Sequence, residues 1–187
     1  MKLFFNIFKS IPVSLEIFSK TSSNKPYGLH RARKEDFFKG EKIISLRKCS
    51  EEPTFSYADF DTYLTQTYYM IKTTRLEIKY LLGVLNSKLI KFWLLHKGKM
   101  QGSNFQIDKE PILNIPIFKA PKKDDRKVLI ELVDKIIETK KQRHKSSTSS
   151  DEDFYDRKIV NLENQINSYV YRLYELNVDD ISVVENM

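Results

Sequence analysis

The chain has 187 residues, 41% of them hydrophobic, with 12 Phe and 10 Tyr; that is enough for one packed domain plus an appendage, and it excludes wholesale disorder. A single cysteine, Cys49, excludes an internal disulfide framework and points to a reducing compartment, and the scattered His30, His96 and His144 give no Cys/His set with zinc-ligand spacing. The net charge of +7 is uneven: residues 1–123 hold 22 Lys/Arg against 11 Asp/Glu, a net of +11, whereas residues 124–187 carry −4, so the body suits a polyanion and the tail a protein partner.

Met1 to Phe5 is apolar, but Asn6, Lys9, Ser10 and Pro12 interrupt the run and no small-residue cleavage site follows, so it does not read as a signal peptide. No stretch approaches the ~20 apolar residues that cross a bilayer, and the most apolar one, Leu81 to Leu95, contains Lys88 and Lys91. The expected location is the cytoplasm. Phe4 to Phe18 reads as a strand or short helix with its partner outside the chain, Thr21 to Lys25 as a polar linker, and the segment from Pro26 to Gly40 is dense in charge. Lys42–Arg47, Thr54–Tyr57 and Gln66–Lys72 have β-branched and aromatic content and read as short antiparallel strands, with turn-forming Pro53 and Asp61 between them.

The period then changes. Ile78, Leu81, Leu82, Leu85, Leu89, Phe92 and Trp93 recur every three or four residues, which predicts one helix over Glu77–Lys97 with Gly98 as its stop and Trp93 in the core. Lys99 to Phe105 reads as a loop, and Asp108 as the cap of a single helical turn before Pro116. The strand-like returns fall near 105–107 and 115–118. Asp124–Lys145 forms a second long helix with Val128, Leu129, Leu132, Val133, Ile136 and Ile137 on one stripe, and Phe154–Leu176 a third; a polar connector, Ser146–Glu152, makes them an antiparallel pair. Val178 to Glu185 adds a capped final turn. The predicted fold is α+β: a small twisted antiparallel sheet packed on a central helix, followed by a C-terminal antiparallel helical hairpin. The expected division is an N-terminal segment or linker over 1–25, a recognition unit over 26–121 and a helical spacer over 122–187.

Catalysis finds little support. Asp61 followed by Glu77-Ile78-Lys79 mimics the acidic/Glu-x-Lys pattern of metal-dependent nucleases, but Glu77 opens a helix, where a carboxylate simply favours the N-terminus. No glycine stands in a Gly-x-Gly arrangement and Pro-Pro never occurs, so the cofactor turn and the base-binding loop of an adenine methyltransferase are both missing. Binding of nucleic acid fits better. Arg31, Arg33 and Lys34 crowd one segment, Arg47 and Lys48 end a strand, and Lys97, Lys99, Gln101 and Lys109 flank the loop after the Trp93 helix. Lysine and arginine neutralise phosphates, and Arg, Gln and Asn also read base edges in the major groove. Tyr57, Tyr63, Tyr68 and Tyr69 could stack on bases, but at strand spacing they read mainly as cross-strand packing.

Several segments together resemble the TaqI-like C-terminal specificity domain of adenine-specific DNA methyltransferases and type IIG restriction–modification enzymes. Lys25-Pro26-Tyr27-Gly28 with His30-Arg31-Ala32-Arg33 is similar to its opening segment, Phe38 to Ile44 to its first strand, and Leu81-Leu82-Gly83-Val84-Leu85-Asn86-Ser87-Lys88-Leu89 to its central helix. Ile115-Pro116-Ile117 followed by Leu129 to Lys141 resembles its exit into a spacer helix, a feature shared with type I specificity subunits. The resemblance implies a module that chooses the sequence of duplex DNA and is not an enzyme on its own. Methyltransferase or endonuclease chemistry, with S-adenosylmethionine and Mg²⁺, would lie in a separate catalytic part, and the chain would be a split or excised piece of such an enzyme. A second copy bound through the C-terminal helices is a further expected partner. The alternative is a helical-hairpin adaptor that binds protein alone, with a small metal-dependent nuclease as a third reading.

Overall fold

The computed structural model describes residues 16–17, 34–50, 52–101, 104–118 and 123–186. Strand β1 (Glu16–Ile17) precedes a single 3-10 turn (Glu35–Phe37), then β2 (Lys42–Leu46), β3 (Lys48–Cys49), β4 (Phe55–Ala58) and β5 (Tyr68–Lys72). Helices α1 (Ile78–Leu85) and α2 (Lys88–Lys97) follow, then the ribbon β6 (Lys99–Gln101) and β7 (Asn104–Gln106), and finally α3 (Lys109–Leu113), α4 (Lys123–Lys145), α5 (Ser149–Leu173) and α6 (Val178–Glu185). The fold is α+β, as the change of period predicts.

Two small antiparallel sheets form. The larger runs β1–β5–β2–β4, with Ile43 opposite both Tyr57 and Ile71. Glu16–Ile17 pairs with Lys72–Ile71, so this segment finds its partner inside the chain; the rest of the stretch 4–18, and the linker after it, lie outside the described residues. The smaller sheet runs β3–β7–β6. It replaces the predicted loop over Lys99–Phe105: strands of two or three residues are too short to show alternation, and β3 finds its partner almost sixty residues away at β7.

The predicted helix over Glu77–Lys97 is two helices. The apolar period continues from Leu85 to Leu89, but the backbone breaks between them. Asn86 accepts the Phe55 N–H through Oδ1 (3.1 Å) and donates to the Phe55 carbonyl through Nδ2 (2.8 Å), so its amide pairs with the edge of β4. Ser87 is fully buried; its hydroxyl donates to the Val84 carbonyl (2.7 Å) and accepts from the Ile90 N–H, capping α2. Asn167 of α5, itself buried, accepts the Lys88 N–H at 2.8 Å. α1 buries every residue but Lys79 and ends where these bonds begin, so sheet, central helices and hairpin all meet at Asn86–Ser87.

The stretch 115–118 is not a strand. Pro116 has no N–H to give a ladder, and tyrosine hydroxyls take up the neighbouring backbone. Tyr174 accepts the Phe118 N–H (3.0 Å) and donates to the Pro116 carbonyl (2.8 Å), while Tyr80 donates to the Phe118 carbonyl (2.6 Å). Ile115 and Ile117 point into the core.

α4 and α5 are antiparallel: Arg143 pairs with Asp156 (2.7 Å) and Lys140 with Glu163 (3.5 Å), while Leu129, Leu132 and Val133 pack with Leu162, Ile166 and Val170. The link between them is Ser146–Thr148, shorter than predicted, because Thr148 accepts the Asp151 N–H (3.1 Å) and starts α5 five residues before Phe154. α5 ends at Leu173 with Glu175 at φ 55, where its N–H reaches the Arg172 carbonyl and that of Leu176 the Tyr171 carbonyl. Asn177 and Asp180 then form a capping box for α6. One hydrophobic cluster runs from Ile43 through α1 and α2 to Leu129, Val170 and Val184, so the hairpin completes the core on which the sheets sit. Among the described residues no helix is long and apolar enough to cross a membrane.

Gly83 faces α4: a Cβ there would lie 2.9 Å from Leu129 Cγ and 3.0 Å from Val133 Cγ2. Alanine normally gains up to about 1 kcal/mol over glycine in a helix, but overpacking at this contact costs about 1–3 kcal/mol. Gly83→Ala is therefore expected to lower the urea midpoint despite its better helix propensity, and Leu129→Ala in the same chain to cost less than it does alone.

Acid should loosen the hairpin and its seam with the last helix. The Glu185 carboxyl lies below its ordinary value, first because Lys88 binds it and then because Tyr171 donates to it, and Asp156 is lowered by Arg143. Folded values below the unfolded ones of about 3.9–4.3 give stability that is present above that range and lost as pH falls through the lowered values. Melting at pH 6 and pH 3 should show a drop in midpoint, and Glu185→Gln a smaller one.

Candidate nucleic-acid interface

The smaller sheet gathers most of the basic residues singled out above. Directly opposite residues of an antiparallel pair share a face, and the register puts Lys48 opposite Gln106 and Gln106 opposite Lys99. Lys48, Gln106 and Lys99 therefore form one row across β3, β7 and β6. The alternate positions turn inward: Cys49 packs against the core and Ile107 is fully buried. Lys48 and Lys99 are exposed and Gln106 is half-buried. Lys97 is exposed two residues before Lys99, at the C-terminal end of α2. Gln101 takes its backbone position opposite Asn104 at the far end of the β6–β7 ribbon.

Asp108 sits on the same side as Gln106, two residues on. It is the residue before α3, yet its side chain caps no backbone N–H there, contrary to the sequence reading. Gln106 Nε2 donates to its Oδ1 at 2.8 Å instead, and Lys99 Nζ lies 3.6 Å from its Oδ2. The Gln106 bond, then the charges of Lys99 and Arg47, hold the Asp108 carboxyl below its ordinary value. Lys109, the first residue of α3, follows it and is half-buried.

Arg47 occupies the corner between the two sheets. Its N–H bonds the Thr67 carbonyl and its carbonyl accepts from Ile107, so both sheets hold its backbone (3.0 Å each). Its guanidinium lies over the Tyr69 ring, 5.4 Å from the centroid, and donates to the Gln66 carbonyl at 3.3 Å. Tyr69 is buried, its hydroxyl donates to the Ile107 carbonyl (3.2 Å), and burial pushes its pKa up. Arg47, Lys48, Lys97, Lys99, Gln101 and Lys109 thus belong to one corner of the molecule.

Lys34 does not. It is exposed beside the 3-10 turn, which Lys72 tethers by donating to the Asp36 and Lys39 carbonyls (2.8 and 2.6 Å). That is the Lys42 end of the β2–β5 ladder; Arg47 stands five residues along β2, about 17 Å away at ~3.3 Å per residue. Arg31 and Arg33 lie outside the described residues.

Other charges of the basic body have structural partners. Lys42 is fully buried, donating to the Gly40 and Phe60 carbonyls (2.6 and 2.5 Å), and burial, then Lys72, pushes its pKa down. Lys79 pairs with Asp134, Lys88 with Glu185, Lys91 with Glu52 and Arg126 with Glu77. The nuclease-like set is dispersed among these bonds: Asp61 accepts the Gly40 N–H (3.1 Å), Glu77 holds Arg126 and Lys79 holds Asp134. Of the tyrosines, Tyr57 bonds Glu41 beneath Lys79, Tyr69 is core, and Tyr63 stacks on Phe38 at 4.9 Å while remaining largely exposed.

Gln106 and Asp108 are the site residues that sequence reasoning missed. The signal was there in Gln-x-Asp at a strand end, two residues apart and hence on one face, but Asp108 before Lys-Glu-Pro reads more readily as a helix cap.

A family model described as the TaqI-like C-terminal specificity domain matches residues 14–117, covering both sheets, α1, α2 and α3. No curated protein gives a significant match.

Proposed function

The chain belongs to the TaqI-like C-terminal specificity domain family, and from that membership we propose that it is the DNA target-recognition part of a restriction–modification enzyme, gripping duplex DNA with the face built on β3, β7 and β6. The observation that carries the reading is the row Lys48–Gln106–Lys99, flanked by Arg47, Lys97 and Lys109. Cations that bind phosphates stand there beside the Gln106 amide, which can read a base edge, and the surface is mounted on a buried core through Cys49 and Ile107.

On this reading the protein acts in the cytoplasm, and residues 26–121 read DNA while residues 122–187 form the spacer against which a catalytic part or a second copy docks. Adenine methylation, cleavage or both belong to that catalytic part, with S-adenosylmethionine and Mg²⁺. The described residues do not suit either group. No Gly-x-Gly turn exists in the sequence, and among the described residues no three His, Cys, Asp or Glu side chains stand close enough to share a metal ion. A second reading, a protein-binding hairpin adaptor, draws on Val128, Phe154 and Val160, large apolar side chains left exposed along α4 and α5.

Anisotropy titration of the full chain against a random-sequence duplex over a salt series separates the two. Each neutralised phosphate contributes about −0.9 to the slope of log K against log salt. Replacing Lys97 and Lys99 by alanine is expected to weaken binding to every duplex and to flatten that slope by about two. Absence of salt-dependent binding to any duplex would favour the adaptor.

A further inference from the structure

We infer that Gln106, oriented by Asp108, reads an adenine in the major groove while Lys48 and Lys99 hold the phosphates on either side; this rests on the DNA-recognition reading and specifies it. The amide orientation is dictated by chemistry. An ionised carboxylate only accepts hydrogen bonds, so the Gln106 group facing Asp108 Oδ1 at 2.8 Å is the NH₂. The Asp108 carboxyl is held ionised by that bond and by the nearby charges of Lys99 and Arg47. With Nε2 fixed on Asp108, Gln106 offers outward an acceptor, Oε1, beside one remaining N–H.

Adenine displays the complement in the major groove, a donor at N6 and an acceptor at N7. Guanine displays two acceptors, so Oε1 would face O6 or N7 without a proton between them. Cytosine offers only a donor there and thymine only an acceptor beside its methyl group.

The spacing agrees. Neighbouring strands lie about 4.8 Å apart, which puts Lys48 and Lys99 roughly 10 Å from each other with Gln106 between them. The major groove is about 12 Å wide. With the amide at the groove floor, two flexible lysines reach opposite rims. The contact from Lys99 to Asp108 does not prevent this: at 3.6 Å with the lysine side chain 79% exposed, it is a weak pair that a phosphate can replace. Asp108 is a positioning residue; Gln106 makes the contact.

The experiment is selection of the full chain from a library of random duplexes, followed by titration on the selected duplex and on versions with single base pairs exchanged. The wild-type protein is expected to require an adenine at one position, and exchanging that A·T pair for G·C to weaken it about 5- to 150-fold. Gln106→Ala should bind both duplexes equally while preferences elsewhere in the site persist. Asp108→Asn frees the amide to turn over, and should shrink the adenine preference without abolishing binding. Lys48→Ala should weaken both duplexes by the same factor, which a general loss of fold could not mimic if the melting temperature is unchanged. If Gln106→Ala keeps the wild-type preference at every position, or the selected site has no required adenine, the assignment is overturned and the DNA-recognition reading stands. If the wild-type protein shows no salt-dependent binding to any duplex, both fall.

Discussion

The hydrogen bonds at Asn86 and Ser87 decide how the rest of the chain is arranged. An unbroken helix over residues 78–97 would run about 30 Å in one direction. It would carry Lys97 and the ribbon after it away from β3. Instead Asn86 closes its amide on the Phe55 backbone, satisfying a donor and an acceptor at the edge of β4, and the chain restarts as α2 under the caps of Ser87 and Asn167. Burying those polar groups is acceptable only because each has a partner. The break therefore holds the larger sheet, delivers the end of α2 to the second sheet, and ties both to α5. Removing the Asn86 side chain would take from the Phe55 N–H and carbonyl, at the edge of β4, the partners that tie this strand to the helix break.

Electrostatics follows from that arrangement. A net of +11 over residues 1–123 would smear positive potential over the whole body if every cation were free. The fold pairs several of them: Lys42 and Lys72 clamp loop carbonyls at one end of the larger sheet, and Lys79, Lys88, Lys91 and Arg126 meet carboxylates at the seams between elements. Exposed pairs of this kind add little stability each, but they withdraw charge from solution. Among the described residues, Lys48, Lys97 and Lys99 stay exposed together at one corner, beside the amide of Gln106.

The α+β layout was legible because the hydrophobic period changes from two to about 3.6 near residue 77 and holds along both C-terminal helices. The break in the central helix was hidden by the same signal, since Leu85 and Leu89 keep a spacing of four across it; the informative pair was Asn-Ser, a capping combination inside an apolar run. The extended stretch at Ile115–Phe118 has strand-like content, and only the hydroxyls of Tyr80 and Tyr174, some sixty or fewer residues away in sequence, explain why it joins no ladder. At the site, residue types were legible and their neighbours were not. Lys48 and Lys99 could be named as cations from sequence, but placing them on either side of Gln106 depends on pairing β3 with β7, a long-range register that no local pattern encodes.

That register also bears on how a recognition module can be exact and variable at once. β3, β6 and β7 contribute no more than three residues each, and Cys49 of β3 packs against the core. Outward side chains on such strands can be exchanged with little effect on packing, because alternate residues face opposite sides. The core beneath them is shared with α4 and α5 through Leu129, Val133 and Val170. A catalytic part docked on the hairpin, as proposed, would then be held at a fixed distance from the reading face, because the hairpin shares its core. On that proposal, substitutions on the outward face would change which base pairs are read and leave the offset between recognised and modified base unchanged; substitutions at Gly83, where an added Cβ would lie only 2.9 Å from Leu129 of α4, would disturb that offset first.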